Sequence, residues 1–322
     1  MRLKWVVALS ASLPFLCGTA FAGGPNLNIK YYGYDWLDFY QNDQPSYSAV
    51  DALNIISTTG FSTTNLNVVH TVKNLNSSAC SGGKCAVSIS AGSGVPGESP
   101  VLDICPGAVN SIQCQSMGSW SNIWSIAFNI GTSSNLPSAI YFIDEPFGNP
   151  ALQSSQTYVQ YQYASYVCTL RQAMKAYGLS IPIYTVLSYG QSKEVAYIKE
   201  IQNGAPISAC PATDKSSPDW VGIDNYNWSV ADMWASYNRV APIGNISGQK
   251  WVLVPPSTPY GMTDQQLHDQ IQLYWDFINI HKNSPVIYIM NWRFDVAVTL
   301  NRNNYPKSAG LLSFMANTIV SE

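Results

Sequence analysis

The chain has 322 residues, of which 16 are Lys or Arg and 19 are Asp or Glu; 46% are hydrophobic, 12% aromatic and only 11% charged. About 25% charged is usual for a soluble domain, so Ser, Thr, Asn, Gln and Tyr must make the surface polar, and no basic patch exists to hold a nucleic acid. The length exceeds what a small sandwich needs and suits one α/β barrel.

Arg2 and Lys4 precede an apolar run from Trp5 to Leu16, and Ala20-Phe21-Ala22 follows with the small-x-small pattern of a cleavage site. Residues 1–22 read as a secretory signal cut before Gly23, too short for a membrane span. The mature chain, 23–322, is then secreted or periplasmic. It keeps six cysteines, and their spacing in an exported chain predicts disulfides Cys80 with Cys85, Cys105 with Cys114, and Cys168 with Cys210. The cysteines do not repeat a zinc-type spacing, and His70, His268 and His281 are scattered, so no metal or other cofactor is expected.

Lys30 to Trp36 reads as the first strand. Ser46 to Thr59 has helical spacing and is ended by Gly60, and Asn65 to Val72 is a second strand. Residues 73–118 hold four cysteines and a Gly/Ser/Pro-rich run. Within them, Ala86 to Ser90 alternates apolar with polar residues and fits either a third barrel strand or an arm of a decorating hairpin. Trp120 to Ile130 follows as a helix, and Ala139 to Ile143 as a strand that stops at Asp144-Glu145-Pro146.

From there the alternation is regular. Ser155 to Tyr177 is a helix ended by Gly178, Ile181 to Ser188 a strand, Lys193 to Gln202 a helix, and Trp220 to Tyr226 a strand. Val230 to Val240 is helical, Lys250 to Val254 a strand stopped by two prolines, and Thr263 to His281 a helix with Thr263 as N-cap. Val286 to Trp292 is the last strand and Lys307 to Val320 the closing helix. Apolar strands alternating with helices predict a parallel sheet covered on both faces. The fold class expected is a single-domain α/β protein, a (β/α)8 TIM-type barrel with a disulfide-bearing insertion at about residues 73–118. No glycine-rich nucleotide fingerprint follows the first strand.

Two adjacent carboxylates closing a buried apolar strand are costly to desolvate unless they serve a site. In such a barrel the chemistry sits where strands open into loops. The residues placed there are Tyr34, Asp35 and Trp36; His70; Asp144 and Glu145; Tyr189; Asp224, Asn225 and Tyr226; and Asn291 and Trp292. Carboxylates, amides and aromatic rings suit glycosidic chemistry, in which one carboxylic acid protonates the leaving oxygen while a second group attacks or stabilises the sugar cation. Glu145 is expected to titrate high, through burial and its negative neighbour.

From Lys30 to Trp292 the strand series resembles the (β/α)8 glycoside hydrolase superfamily. The resemblance implies that Glu145, in an Asp-Glu-Pro triplet similar to the family's Asn-Glu-Pro, is the acid, and that Trp292 is a sugar platform. The main clan carries a nucleophilic glutamate at the end of strand seven, but the stretch Trp251 to Pro259 has no acid. Three readings follow. Asp224 supplies the second carboxylate; or Asp144 orients a substrate acetamido group with Tyr226 assisting, as in hexosaminidase-type enzymes; or the barrel binds sugar without cleaving it. The expectation is an exported, monomeric glycoside hydrolase acting on a poly- or oligosaccharide, with Glu145 as general acid and Asp144 or Asp224 assisting. The alternative is a non-catalytic carbohydrate-binding barrel.

Overall fold

The computed structural model describes residues 28–35, 64–69, 72–76, 80–89, 119–144, 167–188, 217–224, 229–240, 249–257, 261–291 and 305–320. Eight strands, β1 (Tyr31–Tyr34), β2 (Asn67–Val69), β3 (Cys85–Ile89), β4 (Ala139–Asp144), β5 (Ile183–Ser188), β6 (Trp220–Asp224), β7 (Lys250–Leu253) and β8 (Val286–Asn291), form one sheet. Its order is β1-β8-β7-β6-β5-β4-β3-β2, and every ladder is parallel. The described helices are α1 (Ser119–Gly131), α2 (residues 167–176), α3 (Val230–Val240), α4 (Asp264–Ile280) and α5 (Pro306–Val320). This is the (β/α)8 architecture that the sequence pattern predicts. Residues 85–89 pair with both β2 and β4, so this part of the 73–118 stretch is a barrel strand and not a hairpin arm.

Strand alternation separates two cores. Ile140, Phe142, Ile183, Leu187, Val221, Ile223 and Leu253 pack with helix residues such as Leu267, Ile271 and Leu312, and form the layer between sheet and helices. Tyr141, Tyr184, Val186, Trp220, Val252, Tyr288 and Met290 cluster without any of the described helix residues, and so fill the barrel interior. Most interior rings come early in their strands. Tyr141 stacks on Tyr184 at 4.8 Å, Tyr184 on Trp220 at 5.7 Å, and Tyr31 meets Trp220 and Tyr288 at 5.7 and 6.3 Å. Their hydroxyls have partners there: Tyr184 donates to Met290 Sδ and Tyr288 to the Leu66 carbonyl. An aromatic plug therefore fills the N-terminal half, and any site has to open at the other end.

The sheet closes at β1 and β2 without a regular ladder. Asn65 Oδ1 accepts from Tyr32 N (2.8 Å) and Asn67 Oδ1 from Tyr34 N (3.1 Å), while the Asn65 and Leu66 amides both donate to Tyr32 O. The strands approach so closely that a Cβ on Gly33 would lie 1.7 Å from the Leu66 carbonyl oxygen. Side-chain amides thus finish the barrel where backbone pairing does not.

Around the mouth rim, Thr263 caps α4 with a reciprocal Gln266 capping box. Asp264, in the first turn of α4, accepts from Lys307 N, Ser308 N and the Ser308 hydroxyl, which caps α5. Cys80 and Cys85 are bonded, so that β3 begins at a disulfide. Cys168 in α2 is also disulfide-bonded, its partner lying outside the described residues. Cys105, Cys114 and Cys210 lie outside them too, as do residues 1–22 and the expected helices at 46–59 and 193–202. Among the described residues no helix is long and apolar enough to cross a membrane.

Candidate active site at the C-terminal ends of the strands

Among the described residues three acids reach the C-terminal end of the sheet: Asp35 just after β1, Asp144 as the last residue of β4 and Asp224 as the last of β6. Their positions follow from the strand pattern. Apolar residues hold each strand between the two cores, and the first residue that leaves the ladder is free to be polar.

Asp35 is fully buried, with its amide bonded to Asn291 O at 3.0 Å. Burial pushes the interior Tyr288 hydroxyl well above the ordinary tyrosine range, and the charge of Asp35 pushes it the same way. The β1 carboxylate therefore acts on the top of the interior core. Asp224 is half-buried and pairs in register with Ser188, so β5 and β6 end together. Burial also raises the Tyr237 hydroxyl of α3; its bond to the Ile223 amide opposes this and the charge of Asp224 adds to it.

The end of β4 departs from regular pairing. Tyr141 is level with Tyr184, but Asp144, not Ile143, is level with Val186, so three residues of β4 span two of β5. Val186 belongs to the interior core, and the slip gives Asp144 an interior register position. Bulges of this kind re-aim strand ends and are common beside active sites.

Two expected sugar contacts lie elsewhere. Tyr34 is fully buried in the sheet-to-helix core, perpendicular to Tyr32 at 6.2 Å, and Asn291 is fully buried with Nδ2 donating to Gly33 O. Alternation explains both corrections: Gly33 and Met290 take the interior phase, which turns Tyr34 and Asn291 toward the helices. Trp36, His70, Glu145, Tyr189, Asn225, Tyr226 and Trp292 lie outside the described residues. The sequence also left two features unclaimed. Asn65 and Asn67 were signalled by amides two residues apart at a strand entry, a spacing that puts both on one face. Tyr237 gave no signal beyond sitting on the apolar face of its helix.

Among the described residues no group of three His, Cys, Asp or Glu is placed to hold a metal ion. What the described strand ends gather is carboxylates, those of Asp35, Asp144 and Asp224.

No protein-family model matches this sequence, and no curated protein resembles it significantly. Solved structures do resemble it in fold. A glucosidase from Croceicoccus marinus gives a TM-score of 0.52 at 11% identity, over 91% of this chain and 67% of that one. A GH113 beta-1,4-mannanase gives 0.52 at 8% identity, over 90% and 99%. A GH18 chitinase from Pseudoalteromonas aurantia gives 0.50 at 13% identity, over 89% and 99%. At these identities the likeness is one of fold, the barrel shared by glycoside hydrolases.

Proposed function

We propose that the protein is an exported glycoside hydrolase acting on a poly- or oligosaccharide, with Glu145 as general acid and Asp144 or Asp224 as its partner. The observation that carries this reading is the register slip that ends β4 with Asp144 level with the interior Val186, one residue before Glu145, on a barrel whose opposite half is filled by rings. The barrels of a glucosidase, a mannanase and a chitinase support the same substrate class by fold alone.

In this reading Glu145 donates its proton to the glycosidic oxygen as the C–O bond breaks, and the partner carboxylate meets the positive charge that develops at the anomeric carbon. Asp224 would do so directly or through water. Asp144 would do so by orienting a substrate 2-acetamido group, the mechanism of substrate-assisted glycosidases. The chemistry needs no cofactor and acts on one barrel as a monomer. Residues 1–22 serve as the export signal, and the mature N-terminus falls at Gly23.

A second reading, a barrel that binds carbohydrate without cleaving it, draws on β7. The described residues 250–257, Lys250 through Ser257, carry no carboxylate where the main clan has its nucleophile.

Release of reducing ends, screened on polysaccharides with and without 2-acetamido groups, separates the readings. Glu145→Gln is expected to abolish turnover and leave sugar binding measurable by calorimetry. Full activity in that variant removes Glu145 from the role, and binding without turnover in the wild type establishes the second reading. Loss of turnover in Asp144→Asn or in Asp224→Asn identifies the partner.

A further inference from the structure

The helix that follows β6 sends one side chain back into the sheet. Tyr237 of α3 is fully buried, with its ring stacked on Trp251 of β7 at 4.9 Å. Its hydroxyl accepts from Ile223 N at 3.2 Å and donates to Val252 O at 2.5 Å. Those two backbone groups belong to each other by register. Lys250 N donates to Asp219 O, and parallel rungs recur every two residues, so the last rung of the β6–β7 ladder is Ile223 N to Val252 O. The hydroxyl bonds both members of that rung. It holds the ends of the two strands through a phenolic oxygen, one residue before Asp224.

We propose that Tyr237 is a positioning residue: its hydroxyl, bonded to both members of the terminal rung between β6 and β7, sets the place of Asp224 at the barrel mouth. The ring of Tyr237 is held by its stacking on Trp251, so the two strand ends are tied to α3 through one oxygen, and a change at that oxygen is carried to the backbone that leads into Asp224. The catalytic consequence rests on the reading that Asp224 is the second carboxylate; the anchoring itself does not.

The test compares Tyr237→Phe with the wild type and with Ile278→Val, a core change on α4 remote from β6. Full-length mature protein labelled with [4-13C]aspartate is titrated by NMR, and the Asp224 carboxyl signal is assigned by its loss in Asp224→Asn. In Tyr237→Phe the Asp224 midpoint is expected to move by about half a pH unit or more, with an unchanged midpoint in Ile278→Val. On a polysaccharide that the wild type degrades, Tyr237→Phe is expected to lose about 10- to 100-fold in kcat with KM within about twofold, as misplacement of a reacting group by an ångström does. A wild-type midpoint in a folded Tyr237→Phe overturns the proposal, whatever happens to its melting temperature. Should Tyr237→Phe not fold, 4-fluorophenylalanine at position 237 alone fills the place of the hydroxyl without donating to Val252 O; an unmoved Asp224 midpoint there overturns the proposal as well. A shifted midpoint together with full turnover in Asp224→Asn upholds the anchor and removes Asp224 from the catalytic pair.

Discussion

Two seams of this barrel carry side chains bonded to the strand backbone, and they behave as opposites. At β1 and β2, Asn65 and Asn67 supply acceptors that the neighbouring strand does not, to Tyr32 N and Tyr34 N. At β6 and β7 the Tyr237 hydroxyl bonds a donor and an acceptor that are also partners of each other by register. The first supplies acceptors that a ladder lacks and the second adds to a rung whose members are already each other's partners. Removing the first orphans a buried amide, whereas removing the second leaves two groups that have each other. The closing seam is therefore a device for stability, and the mouth seam a device for shape.

The sharpest way to break the comparison is Gly33→Ala. A Cβ placed 1.7 Å from a carbonyl oxygen cannot be accommodated without separating the two strands. The expected cost is about 4 kcal/mol or more, read as loss of soluble folded protein or a large fall in Tm. Asn67→Ala comes next. It leaves the amide of Tyr34 without its acceptor in a buried place, for an expected loss of about 1–3 kcal/mol by denaturant titration. Tyr237→Phe should cost less, about 1 kcal/mol, because Ile223 N and Val252 O remain each other's partners. A loss as large as that of Asn67→Ala would erase the distinction between the seams.

The smallest effect belongs to the rim clamp, which touches neither seam. Burial pulls the Asp264 carboxyl up, but the amides of Ser308 and Lys307 and the Ser308 hydroxyl outweigh it and hold the carboxyl below the ordinary aspartate value. A depressed folded-state pKa contributes stability that is complete above the unfolded value and is lost as the pH falls through the folded one. Asp264→Asn should thus lower Tm by a few degrees near neutral pH and remove that part of the acid destabilisation. Melting curves between about pH 3 and 7 check this, and an unchanged acid limb would show that the clamp contributes nothing through its charge.

The strand series was legible because burial on both faces leaves a simple trace: unbroken apolar runs such as Ile140 to Ile143 and Val286 to Met290, each followed by polar residues. The helices at 119–131, 230–240 and 264–280 were equally plain from period and from the Thr263 cap. The site was less so. Asp224 falls at its strand end as expected, yet Tyr34 and Asn291, also near strand ends, turn to the helices, since a count of residues to the end of a strand does not give its phase. The β4 slip, which decides the register of Asp144, depends on how β5 pairs beside it.

By itself the sequence determined seven of the eight strands, the parallel sheet and the acids that finish β4 and β6, because burial and periodicity are properties that each segment carries alone; that residues 85–89 are the remaining strand came from their pairing with β2 and β4. Only the tertiary structure decided how β1 meets β2, that a tyrosine hydroxyl bonds the last rung before Asp224, and which residue of β4 is level with Val186. Those depend on hydrogen bonds between residues from 14 to 33 positions apart, and such partners are chosen by proximity in the fold and leave no period along the chain.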